Sequence, residues 1–305
     1  MPSHDVPSAG TLVKAAPARP LWAVLTPYIE LSKARLNALV VLTAGVGYVL
    51  AASTQIDWPR LGWTLLGTTL AAWGASAFNQ WIEVGHDARM FRTRRRPLPT
   101  RRVASAAALR FALLVSFAGP ALLAVFVNLA AAALALASLL IYVLVYTPLK
   151  VRTPLNTLVG AVVGALPPLV GWVAATGSLA AGAWMLGGIL FVWQIPHALA
   201  LAWMYRADFR RSRFRMLPIV DPAGHVTGYV ILIHSLVLVP LTLMLTLAGV
   251  TGWVYALGAL LLGSGLALAS VVLARQRSPA AARGLFFATV FYLPLLLGLM
   301  IADRC

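Results

Sequence analysis

Residues 61–97 read LGWTLLGTTLAAWGASAFNQWIEVGHDARMFRTRRRP, a run whose first part, 61–82, carries no charge and is long enough to cross a bilayer. Its end sets Asn79, Glu83 and Asp87 four residues apart. At about 100° per residue, three oxygen-bearing side chains so spaced fall within roughly 80° of one helical face and can converge on one or two hard cations such as Mg²⁺. Arg89, Arg92, Arg94, Arg95 and Arg96 follow at once and can take up the remaining charge of a bound diphosphate.

Apolar runs of similar length recur along the chain. With 305 residues, 61% of them hydrophobic and 10% charged, the sequence belongs to the membrane class and is no soluble globular domain. Hydropathy predicts nine spans near 36–53, 61–82, 105–125, 127–147, 155–176, 183–205, 228–248, 252–273 and 285–302. Positive charge supports that count. With the N-terminus inside, the cytoplasmic segments hold Lys14, Arg19, Lys33 and Arg35, then Arg89 to Arg102, then Lys150 and Arg152, then Arg206 to Arg215, then Arg275, Arg277 and Arg283. Only Arg60 and Arg304 fall outside, and Arg110 lies within the third span. The expected architecture is an all-α polytopic membrane protein, nine transmembrane helices bundled around a cytoplasm-facing active-site cavity, with residues 21–305 as one domain.

The net charge of +16 reads as topology signal plus attraction to anionic membrane lipid, so no nucleic-acid partner is expected. Residues 1–20, rich in Pro and Ala, lack a signal-peptide core and read as a disordered cytoplasmic tail. A tail so short and poor in Arg favours a bacterial inner membrane over a mitochondrial inner membrane. Cys305, the single cysteine, is the last residue and supports neither a disulfide nor a prenylation signal.

The second and sixth spans end alike, each in an arginine-rich loop that also contains acids. Related halves would bring these loops together over one cavity. Glu83 and Asp87 read either as metal ligands or as helix-end partners of nearby arginines. Asp208, followed by Arg210, Arg211, Arg213 and Arg215, reads either as a second metal ligand or as a partner for those arginines. Between the loops, Tyr146 to Asn156 holds two prolines and the cations Lys150 and Arg152, a break in the helix that lines a cavity or meets water. Gly160 and Gly164 permit close helix packing, and Pro167-Pro168 should kink the fifth span. Gln194 and His197, polar groups in an apolar helix, need partners; His197 reads as a hydrogen-bonded structural residue or as a haem contact.

Three blocks together resemble the intramembrane prenyltransferases of the UbiA type, and within them the branch that farnesylates protohaem IX. They are Asn79-x3-Glu83-x3-Asp87-x2-Met90-x-Arg92-Thr93-x2-Arg96-Pro97; Tyr146-Thr147-Pro148-Leu149-Lys150 through Asn156 to Gly171-Trp172; and Trp193-Gln194-x-Pro196-His197 through Trp203 and Asp208 to Met216-Leu217-Pro218. The resemblance implies Mg²⁺-dependent transfer of the farnesyl group of farnesyl diphosphate to a vinyl group of haem B, with addition of water, giving haem O. Haem A synthase or oxidase assembly proteins would be partners. It implies Asn79, Glu83, Asp87 and Asp208 as metal ligands, Arg92, Arg96, Lys150, Arg152 and Arg206 as diphosphate contacts, and Tyr146, Asn156, Gln194, His197 and Trp203 as contacts to haem or prenyl chain.

There are departures. Quinone-pathway relatives usually have a second aspartate where this chain has Ser212, which disfavours the alternative reading as a quinone-precursor prenyltransferase. The haem branch commonly reads Asp-Tyr-x-x-x-Gly before Met-Leu-Pro, whereas here Phe209, Arg213 and Arg215 intervene. A transporter of haem or lipid would need polar residues near mid-membrane, and this chain concentrates its acids at one surface instead.

Overall fold

The structure is a computed structural model that describes residues 21–52 and 55–305; the expected tail at 1–20 lies outside the described residues. A short helix α1 (Leu21–Leu31) precedes α2 (Ala34–Ala51) and α3 (Trp58–Ile82). A four-residue turn, α4 (Val84–Asp87), opens the first polar loop, and α5 (Ser105–Phe126) returns across the bundle. Next, α6 (Leu129–Leu140) runs through a π-helical segment, Ile141–Tyr146, into α7 (Thr147–Leu149). The second half comprises α8 (Asn156–Thr176), α9 (Ala181–Met204), the short α10 (Arg206–Arg211) and α11 (Leu217–Val220), then α12 (His225–Leu247), α13 (Trp253–Gln276) and α14 (Pro279–Ala302).

Among the described residues eight helices are long and apolar enough to cross a membrane: α2, α5, the α6–α7 composite, α8, α9, α12, α13 and α14. The expected span at 61–82 is α3, which has the length, 25 residues, but is not one of the eight. Thr64, Thr68, Thr69, Ser76, Asn79 and Gln80 dilute its apolar character. Polar residues there are buried against neighbours, so the helix that builds the site is the least lipid-like.

Local chemistry sets the helix ends. Asp57 accepts from the Arg60 amide and Pro59 follows it, which starts α3. Asn128 starts α6 in the same way and also donates to the Val173 carbonyl of α8. Ser278 with Pro279 starts α14. Small residues let the helices touch backbone to backbone: a Cβ on Gly47 or Gly171 would enter the facing backbone at Pro168 or Ala44, so α2 and α8 pack directly. Pro167 and Pro168 are held within α8, which continues through them. α9 is the most enclosed of the eight spans and packs against α8, α12 and α14. At the end remote from the polar loops, Arg304 donates to the Val49 carbonyl and Asp303 accepts from the Tyr255 amide, tying the chain's end to α2 and α13.

Candidate active site

The last turn of α3 presents Asn79, buried among polar neighbours. The helix ends at Ile82; Glu83 has φ −90° and ψ 9° and joins α3 to α4, whose last residue is Asp87. The single helical face expected from the spacing is therefore broken at Glu83, yet all three side chains are drawn inward, and Asp87 is fully buried.

Each meets a basic group. Lys33 Nζ donates to Asn79 Oδ1 at 2.8 Å. Lys150 Nζ donates to Glu83 Oε1 at 2.7 Å. Arg96 Nη1 donates to both oxygens of Asp87, at 2.8 and 2.7 Å. Lys33 adopts a left-handed backbone, φ 49°, in the junction between α1 and α2. Burial, followed by the charges of Arg96 and Lys150, pushes its ammonium down to about 7. Burial works against the Lys150 ammonium as well, but the Glu83 carboxylate and the Tyr146 phenol outweigh it and hold that group above its ordinary value. The Tyr146 ring lies 4.6 Å beneath Lys150 Nζ.

The second polar loop closes onto the first. His86 Nδ1 donates to the Ser212 carbonyl at 2.8 Å, and Ser212 Oγ donates to the His86 carbonyl at 3.1 Å. Asp208 accepts from the amides of Phe91 and Arg92, at 3.4 and 3.3 Å, and lies 3.8 Å from Arg211. The backbone amide of Arg215 donates to the Lys150 carbonyl at 2.6 Å, which joins the loop between α7 and α8 to the same assembly.

Beneath this polar end lies a cavity of about 310 Å³ between α2, α3, α6, α8 and α9, with Lys33, Tyr146 and Met216 in its lining beside apolar walls. Gly160 and Gly164 shape it, since a Cβ on the first would press on the Tyr146 ring and a Cβ on the second would occupy the place of the Gln194 amide. These glycines face side chains rather than a neighbouring backbone. The cavity is a mostly apolar space under a cluster of cations and carboxylates, fit for a molecule with an anionic head and an apolar tail.

The structure brings Asn79, Glu83, Asp87, Arg96, Lys150, Tyr146 and Gln194 to this head and cavity. Asp208 and Arg92 stand on the facing loops, Arg92 over the Tyr205 ring at 5.3 Å. Arg152 is exposed on the turn before α8, and Arg206 lies 5.6 Å from the Trp203 ring. Asn156 is buried behind the site, donating to the Thr153 and Arg215 carbonyls. His197 faces α14: Nδ1 is 2.9 Å from Thr289 Oγ1, and the ring stacks on Trp193 and lies tilted against Phe286. Trp203 is a core residue, packed on Gly224. In the sequence Lys33 reads only as a topology charge, and nothing there singles out His86 or Tyr142; these act through tertiary contacts that spacing does not encode. The polar Asn37 inside the first span was a usable signal, for its amide donates to Ser32 and Ser76 beside the cavity.

Among the described residues no three His, Cys, Asp or Glu side chains form a metal cluster. The available set is two carboxylates and the Asn79 amide oxygen, with Asp208 across from them. All are hard oxygen donors, the chemistry Mg²⁺ takes, so the residues fit that ion.

Fold and site together define a polytopic membrane enzyme with a charged head site over an apolar cavity. The chain belongs to the UbiA prenyltransferase family, whose sequence pattern matches residues 40–292. It is 42% identical to the protoheme IX farnesyltransferase of Solibacter usitatus (strain Ellin6076), over 91% of this chain and 98% of that one. In fold it is similar to a solved digeranylgeranylglyceryl phosphate synthase, with TM-score 0.78 and 16% identity over 92% of this chain and 98% of that chain. A UbiA homologue from Archaeoglobus fulgidus, solved with GPP and Mg²⁺, gives TM-score 0.65 at 12% identity, covering 90% of this chain and 99% of that chain.

Proposed function

We infer that this chain transfers the farnesyl group of farnesyl diphosphate to a vinyl group of haem B and so makes haem O. The observation that carries this reading is the likeness to a protoheme IX farnesyltransferase, sustained over 98% of that relative's length. The three sequence blocks and the charged head over an apolar cavity support it.

Residues 21–305 act as one catalytic unit with nine crossings, α3 being the ninth, and with the N-terminus and the polar loops on the cytoplasmic side of a bacterial plasma membrane. The charge alternation supports that orientation. Asn79, Glu83 and Asp87, with Asp208 opposite, hold Mg²⁺, which when bound supplies positive charge to the departing diphosphate. Arg92, Arg96 and Lys150 donate to the phosphate oxygens, and Arg152 and Arg206 add field at the rim. The bond between C1 of the farnesyl group and oxygen breaks with its electron pair leaving on the diphosphate. Apolar walls exclude water from the allylic cation, and the Tyr146 ring faces it. The vinyl π electrons of haem B close on C1, and water captures the new cation, losing a proton to leave a hydroxyl.

Incubating purified protein in detergent with haem B, farnesyl diphosphate and Mg²⁺, then weighing the extracted haem by mass spectrometry, tests this. A farnesylated, hydrated haem that disappears with EDTA and with Asp87→Asn is expected. Unmodified haem from folded protein, alongside prenylation of a quinone precursor, would reassign the acceptor.

A further inference from the structure

Three basic side chains already occupy three of the four proposed metal ligands. Lys33, Lys150 and Arg96 reach Asn79, Glu83 and Asp87 from three separate places: the α1–α2 junction, the turn after α7 and the loop after α4. The acceptors are 1%, 4% and 0% exposed, so these are interior pairs and not the loose ion pairs of a surface. Lys150 and Arg96 alone balance the Glu83 and Asp87 carboxylates, so these three ligands are closed in charge before any metal enters; Asp208, the fourth, stands on the facing loop with Arg211 at 3.8 Å.

A bare divalent ion approaching these ligands has to break a charge-assisted bond at each of the three. It also brings two positive charges close to Lys150 and Arg96 where solvent screens little. A metal diphosphate arrives with the opposite balance. Its phosphate oxygens accept from the three basic groups as the carboxylates and amide oxygen turn to the metal, so each broken bond is replaced. Resting on the ligand assignment above, we propose that Lys33, Lys150 and Arg96 are place-holders released by partner exchange, so that divalent metal binds only in company with a diphosphate. Metal and diphosphate affinities are then coupled by one reciprocal factor. The site stays shut to free metal while the prenyl donor is absent.

Mn²⁺ serves as the probe, its binding to the full chain in detergent followed by electron paramagnetic resonance with and without inorganic diphosphate and with no haem present. Wild-type protein should bind Mn²⁺ at least about tenfold more tightly with diphosphate, inside the roughly 5–150-fold range of ordinary coupling. Lys150→Gln should bind bare Mn²⁺ more tightly than wild type and lose most of that coupling. Lys33→Gln leaves no charge unpaired; it should move the same way by less, and it carries the test if Lys150→Gln does not fold. Equal wild-type affinity with and without diphosphate, or two folded variants that bind no more bare Mn²⁺ than wild type, would overturn the exchange. A wrong ligand assignment shows separately, because Glu83→Gln and Asp87→Asn would then leave Mn²⁺ binding unchanged.

Discussion

His86 and Ser212 hold each other twice, each accepting on its carbonyl a bond donated by the other's side chain, at 2.8 and 3.1 Å. The two residues stand 126 positions apart and belong to the loops that end α3 and α9. Ser212 thus joins the halves of the site at the position where quinone-pathway relatives usually carry an acid. Ser212→Ala removes one bond and leaves the His86 carbonyl without it, a loss of about 1–2 kcal/mol. Steady-state kinetics should show a raised KM for farnesyl diphosphate with a smaller change in kcat. An unchanged KM would mean the loops align without the clasp.

Arg96 sets one nitrogen across both oxygens of the fully buried Asp87. Removing the cation alone strands a carboxylate in the interior, so Arg96→Met should destabilise the protein by about 3 kcal/mol or more. Asp87→Asn in the same chain should recover part of that loss, although activity stays absent. Thermal unfolding of the two variants in detergent checks the order.

Gly164 leaves room for the Gln194 amide at the cavity wall. Gly164→Ala forces that side chain away and should cost about 1–3 kcal/mol by overpacking. Gln194→Ala added to it clears the space, so the double variant should be more stable than Gly164→Ala alone. Additive losses in a double-mutant cycle would contradict the contact.

Asp221 caps the start of α12, accepting from the Gly224 and Thr227 amides and the Thr227 hydroxyl. Burial raises its carboxyl, but those three bonds outweigh it and hold the group below the ordinary 3.8. A carboxylate so lowered binds fewer protons in the folded state. Its stabilisation is complete above the ordinary value and fades as pH falls through the lowered one. Asp221→Asn should therefore be less stable than wild type by about 1 kcal/mol at neutral pH, the difference between bonds to a charged and to a neutral acceptor. The gap should close in acid; melting curves across that range would show a constant gap if the cap contributes no charge.

Most of the helices were legible because lipid imposes long apolar runs and basic loops mark one side. Most span ends fell within a few residues of the helices seen, as for 105–125 against Ser105–Phe126, but α14 begins at Pro279, six residues before the expected 285. Rotation of a helix about its axis was not legible. α9 is apolar on every side apart from Gln194 and His197, and its pattern does not tell that Gln194 and Ala198 face the cavity whereas Trp193 and His197 face α14. The carboxylate motif could be read from local spacing, but its partners could not: Lys33 and Lys150 are brought to it only by the bundle.

The π-helical stretch Ile141–Tyr146 widens the helix just before Thr147 and Lys150. Such a stretch holds more residues per turn than the helix it interrupts. If the same six residues wound as α-helix instead, each would turn further, and everything after them would swing by about 100°. Tyr146 and Lys150 would then leave the cavity rim and Glu83 together, with every side chain chemically intact. The active site is therefore sensitive to how tightly this helix is wound as well as to its composition, and a substitution in this uncharged stretch that restores plain α-helical winding would disable it as completely as the loss of an acid.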